Sequence, residues 1–71
     1  MEYDYSKLKG KIREVFVTQE KYAEKLGIST TSINNKLNCK TYFTQSEISK
    51  SIELLKIKND EIQLYFFTEK V

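Results

Sequence analysis

Apolar residues recur along this chain at intervals of three and four, with short polar stretches between the groups, and that spacing predicts helices. Five short ones account for nearly all of it. The first runs from about Tyr5 to Val17 with Leu8, Ile12, Val15 and Phe16 on one face, although Gly10 interrupts it. The second runs from about Gln19 to Leu26 and buries Ala23, Leu26 and part of Tyr22. The third, about Thr30 to Leu37, gives only Ile33 and Leu37 to a core. Either Tyr42 or Phe43 plugs that core from the following loop. Thr44, with Glu47 three residues on, writes a capping box for a fourth helix that reaches about Leu55 on the stripe Ile48, Ile52 and Leu55. Asn59 or Asp60 caps a fifth. Its apolar residues Ile62, Leu64, Tyr65, Phe66 and Phe67 are too many for one stripe. Ile62 and Phe66, four apart, would close the core. Leu64, Tyr65 or Phe67 would remain outside as a candidate dimer patch, unless the whole cluster is buried in the monomer. The expected architecture is all-α: a compact bundle of about five short helices in one domain, residues 1–71.

Within this pattern the segment from Thr18 to Leu37, TQEKYAEKLGISTTSINNKL, has the spacing of two helices meeting at a sharp turn. Such a corner needs a small side chain where the backbones approach, a residue tolerant of positive φ, and apolar residues pinning the second helix. Ala23, Gly27 and Ile33 fill those roles. Thr18 and Ser29 stand where N-caps belong. A glycine between amphipathic helices is also an ordinary C-cap in bundles without a nucleic-acid role.

The third helix adds a second signal. Thr30, Thr31, Ser32, Asn34, Asn35 and Lys36 have no apolar part to play, and such a sequence gains little from helix propensity or burial. Asn pairs bidentately with adenine, and Thr offers a hydroxyl or touches the thymine methyl. An ordinary solvent face is the other reading of the same residues.

On Gln19, Ala23, Gly27 and Ile33 the segment resembles the helix-turn-helix of the lambda repressor and Cro superfamily of small phage regulators. Leu37, rather than Lys36, carries the later apolar position, as in Cro-like sequences. The resemblance implies a lambda repressor-like DNA-binding domain whose recognition helix, about residues 30–37, enters the major groove. Thr30, Thr31, Ser32, Asn34 and Asn35 would then read bases. Thr18, Gln19, Asn38, Lys40, Thr41 and Tyr42 would contact phosphates, and Lys36 would be either a phosphate contact or a solvated charge. Related repressors often have Gly where Cys39 stands, so Asn38 is expected to take the left-handed turn after the helix instead.

Composition bounds the chemistry. Seventy-one residues make one small domain, and with no His, no Trp and a single Cys the chain lacks a zinc ligand set, a disulfide framework and a Cys-His pair. No enzyme, cofactor or metal site is expected. No run is long enough to span a membrane, and the start MEYDYS does not read as a signal peptide, so a cytoplasmic protein of a bacterial host cell is expected. Net charge is only +2, but it is uneven: Lys7 to Lys40 holds eight cations against three acids. Phosphate neutralisation supplies most sequence-independent affinity for DNA, so this local excess matters more than the total.

The function expected is a Cro- or repressor-like transcriptional regulator of a phage or prophage that occupies operator DNA. Its partners would be a pseudopalindromic double-stranded operator and a second copy, at least on DNA, with no membrane and no small-molecule substrate. The competing class is a protein-interaction module, such as an antirepressor or a partner of a larger repressor.

Overall fold

In the computed structural model, which describes residues 2–69, the chain is an all-helical bundle. Its helices are α1 (Ser6–Phe16), α2 (Gln19–Leu26), α3 (Thr30–Leu37), α4 (Gln45–Leu55) and α5 (Ile62–Phe66), with a single 3₁₀ turn, Asn59–Glu61, ahead of α5. No strand forms among the described residues. One antiparallel bridge joins Tyr3 to Glu69, and the Asp4 N–H donates to the Thr68 carbonyl at 2.7 Å, holding the segment before α1 against the one after α5. No helix among the described residues is long and apolar enough to cross a membrane.

Local chemistry starts three of these helices. Thr18 accepts from the Lys21 N–H at 3.2 Å, Ser29 from the Ser32 N–H at 3.1 Å and Thr44 from the Glu47 N–H at 3.1 Å, each satisfying one of the donors a helix leaves unpaired. Glu47 returns a bond from the Thr44 N–H at 2.9 Å, so the capping box is complete. The fifth helix begins differently from expectation. Neither the Asn59 nor the Asp60 side chain caps it; Glu61 reaches back to the Lys58 N–H at 3.3 Å.

Three helix ends, those of α2, α3 and α4, share one device. After α2 the N–H of Ile28 bonds to the Ala23 carbonyl and that of Gly27 to Glu24, with Gly27 left-handed at φ 80°. This is the Schellman arrangement. It recurs after α3, where Lys40 bonds to Asn35 and Cys39 to Lys36, and after α4, where Ile57 bonds to Ile52 and Lys56 to Glu53. The left-handed residues there are Cys39 (φ 62°) and Lys56 (φ 54°), not glycines. Asn38, expected to turn left-handed, has φ −98°, because the Cys39 thiol, bonded to the Tyr3 carbonyl at 3.3 Å, holds position 39 in that role.

The core gathers Tyr5, Leu8, Ile12, Tyr22, Ala23, Leu26, Ile33, Leu37, Leu55, Ile57 and Phe66. Three expectations change here. Val15 is exposed, since Leu8 and Ile12 set the inward face of α1 and Val15 lies off it. Tyr22 is wholly rather than partly buried: its ring lies 5.6 Å from that of Phe16, and its hydroxyl finds a buried partner in the Ser51 hydroxyl. Tyr65 packs against the core, so the exposed C-terminal apolar residues are Leu64 and Phe67. Phe43 is the plug, edge-on to Tyr5 at 5.6 Å and to Phe66 at 5.5 Å, whereas Tyr42 points out.

Two stability predictions arise from these contacts. Tyr22→Phe leaves the buried Ser51 hydroxyl without its partner and should cost about 1–3 kcal/mol in urea unfolding, most of it regained on adding Ser51→Ala. Gly27→Val should cost about 1–2 kcal/mol, chiefly from its left-handed backbone, because a Cβ there meets no atom within 4 Å. An unchanged melting temperature in either single variant contradicts the geometry behind it.

Candidate nucleic-acid interface

The α2–α3 corner is built as the sequence indicates. Gly27 makes the turn, Ala23 is buried beneath it, and Ile33 and Leu37 fix α3 from the inside. On a helix, Thr31 and Asn35, four apart, project from one side with Asn34 and Asn38 beside them. Thr30, Thr31, Asn34 and Asn38 are exposed, while Ser32 and Asn35 are half-buried on the flanks of the same surface. Beyond the helix, Lys40, Thr41 and Tyr42 are exposed, as is Thr18 at the start of α2, with Gln19 half-buried next to it.

Lys36 departs from both roles offered for it. Its ammonium meets Glu47 Oε1 at 2.9 Å, donates to the Tyr42 carbonyl at 3.0 Å and stands 5.9 Å from the centre of the Phe43 ring. Only 11% of its side chain and 16% of that of Glu47 remain exposed, so Lys36 is a tie between α3 and α4, neither a solvated charge nor a cation aimed at phosphate. Burial alone would raise the Glu47 carboxyl. The Thr44 N–H, the Lys36 ammonium and the Thr44 hydroxyl outweigh that and hold it below its ordinary 4.5. Nearby, burial pushes the Tyr22 phenol up to about 12, opposed by the Ser51 hydroxyl and aided by the Glu47 charge, so it stays neutral.

Sequence reasoning passed over a hollow between α1 and the start of α2. It is lined by Lys9, Gly10 and Arg13 on one side and Thr18 and Gln19 on the other, with Val17 at the corner. Val17 sits at φ 72°, ψ −46°, and the Thr18 N–H bonds across it to the Phe16 carbonyl at 2.8 Å. This is a γ-turn of the strained hand, rare for a β-branched residue, and it ends α1 one residue sooner than the apolar spacing suggests. The available signal was the pair of cations four apart around an intrahelical glycine.

Among the described residues no three His, Cys, Asp or Glu side chains gather as a metal site. A family model described as "Protein of unknown function (DUF739)" matches residues 1–69. The chain belongs to this DUF739 family. Among solved structures it is similar to the solution structure of the modulator of repression (MOR) of the temperate bacteriophage TP901-1 from Lactococcus lactis. The two share 41% identity at a TM-score of 0.81, over 100% of this chain and 96% of that one. No curated protein matches. The DUF739 match and this likeness both run through α1 to α5, so the five-helix fold that holds the corner is shared along the whole length.

The tie has a pH signature. A carboxyl depressed on folding stabilises above its unfolded value and loses that contribution as pH falls through its folded value. Glu47→Gln keeps an acceptor for the Thr44 N–H but removes the charge, and should cost about 1–2 kcal/mol at pH 7. The gap between wild type and variant should close as urea unfolding is repeated below pH 4.5. A gap independent of pH would rule out the ion pair as its source.

Proposed function

We propose that this DUF739 protein is a phage-type regulator of repression that acts on double-stranded operator DNA through its helix-turn-helix, in the manner of the lambda repressor and Cro superfamily it resembles. The observation that carries this is the outer face of α3. The helix is capped at one end by Ser29 and closed at the other by a Schellman turn, is fixed inside by Ile33 and Leu37, and turns Thr30, Thr31, Asn34 and Asn35 away from the core. Similarity to a modulator of repression supports the regulatory class. In this reading Thr30, Thr31, Ser32, Asn34 and Asn35 face base edges in the major groove. The free N–H groups at the start of α2, beside Thr18 and Gln19, take one phosphate, and Asn38, Lys40, Thr41 and Tyr42 hold the strand on the other side.

Size fits a paired arrangement. The molecule measures 29 × 26 × 21 Å, so two copies fit side by side over successive major grooves about 34 Å apart on a pseudopalindromic site. Leu64 and Phe67, exposed next to each other on and after α5, are the proposed contact between copies. The protein would work in the bacterial cytoplasm, as one domain and without cofactor or catalysis.

A second reading has its own support: the neighbour's name speaks of modulating repression, and the turning of Lys36 inward removes one cation from the α3 face. There the same polar face would bind a larger repressor protein instead of bases.

Selection of bound sequences from a random duplex pool, followed by titration of the winner against salt, separates the two. Steeply salt-dependent binding supports the DNA reading, and no binding to any duplex at low salt transfers the function to the protein partner. On the selected site Asn35→Ala should cost about 1–3 kcal/mol and flatten the preference at one base pair. Lys40→Ala should weaken all sequences alike and lower the salt slope by about 1. Equal losses on every sequence for Asn35→Ala would remove it from base reading.

A further inference from the structure

Gly10 lies inside α1, where a glycine destabilises the helix, and no close packing explains it: a Cβ placed there meets no neighbouring atom within 4 Å. Its surroundings suggest what does. Lys9 and Arg13, four residues apart and so neighbours on the helix surface, flank it; both are exposed and neither has an ion-pair partner among the described residues. With Gly10 they line the hollow that Thr18 and Gln19, at the start of α2, line from the other element. Lys9 also lines an adjoining hollow that reaches Asn38 at the end of α3. It therefore stands between the two places where the proposed operator contacts begin and end. The second hollow is bordered by Glu2 and Asp4, so the positive side of this surface is the α1–α2 side.

We infer that the α1–α2 hollow clamps a DNA sugar–phosphate strand, with Lys9 and Arg13 on successive phosphates and the bare backbone of Gly10 allowing the strand to lie against α1. This rests on the DNA-binding reading and extends its footprint from the helix-turn-helix onto the first helix. The occupant is polyanionic because, among the described residues, the charged side chains lining the hollow are two cations, and it is close-fitting because the residue between them has no side chain. The clamp carries no sequence information. Its contribution is affinity and orientation.

Three variants test it on the selected duplex. Gly10→Gln should raise the melting temperature of the free protein by about 3–6 °C, since it restores helix propensity at an open position, yet weaken DNA binding by at least about tenfold. Lys9→Gln with Arg13→Gln should lower the log–log salt slope by about 2, which makes binding about tenfold less sensitive between 50 and 200 mM salt, with base preferences unchanged. Lys50→Gln with Lys58→Gln removes the same charge from residues lining neither hollow and should leave the slope nearly intact. Wild-type affinity in Gly10→Gln, or equal slope losses in the two double variants, overturns the clamp while the DNA reading stands. Failure of the wild-type chain to bind any duplex overturns both.

Discussion

A helix with two buried apolar side chains cannot hold its position by burial alone, and α3 has only Ile33 and Leu37. What completes its attachment is the Lys36 ammonium, shared between the Glu47 carboxylate, the Tyr42 carbonyl and the face of Phe43. The arrangement is economical in residues because Glu47 is also the far half of the capping box that starts α4. One carboxylate thus fixes the first turn of α4 and the last turn of α3 together. The carbonyl it helps to position belongs to the loop that feeds Phe43 between Tyr5 and Phe66. Breaking the pair would loosen α3, the loop and the start of α4 at once. A mostly exposed ion pair is worth little, but this one is largely covered, and removing a single partner would leave the other charge without its hydrogen bonds.

The second long-range link is between Tyr22 and Ser51. It ties α2 to α4 through two hydroxyls in the core, which lets a tyrosine be buried completely without an unsatisfied group. Through these two links α4 serves as the scaffold against which both helices of the corner are set. α2 and α3 also pack directly on each other, and Ala23 is buried at the corner. The polar face of α3 can therefore be rich in Thr, Ser and Asn: its helical state is imposed by neighbours and caps, not by its own propensity.

What the sequence reveals follows from the range of the interactions. Helix starts at Thr18, Ser29 and Thr44 are legible because an N-cap bond spans three residues, and the left-handed turn at Gly27 is legible because glycine is the residue that takes it without strain. The turns at Cys39 and Lys56 are not, since each is imposed by distant packing. The Cys39 thiol is held by the Tyr3 carbonyl, and Ile57, next to Lys56, is drawn into the core. Val17 follows the same rule. Leu8 and Ile12 orient α1, the cap at Thr18 orients α2, and the residue between absorbs the mismatch as a strained γ-turn. Lys36 looked like a surface cation because its partners lie in another helix and a loop. Ser51 stood in plain view between Ile48 and Ile52 on the buried side of α4, but its role needs Tyr22, which no local pattern supplies.

Association is governed by the same scale of forces. A stable dimer of separate proteins covers about 800 Å² on each partner, which here would be roughly a sixth of a surface of 5014 Å². Leu64 and Phe67 are the exposed large apolar residues on that end, and Phe67 already leans edge-on against Tyr3 at 6.0 Å, so the apolar core of such an interface is small. On the proposed reading, pairing in solution would therefore be weak, and the duplex would supply the missing free energy by holding two copies at high effective concentration on adjacent grooves. Binding would then be cooperative in protein concentration. The affinity of each copy for its half-site would depend on contacts beyond the short α3 face, and α1, lying beside the start of α2 and the end of α3, is the element placed to provide them.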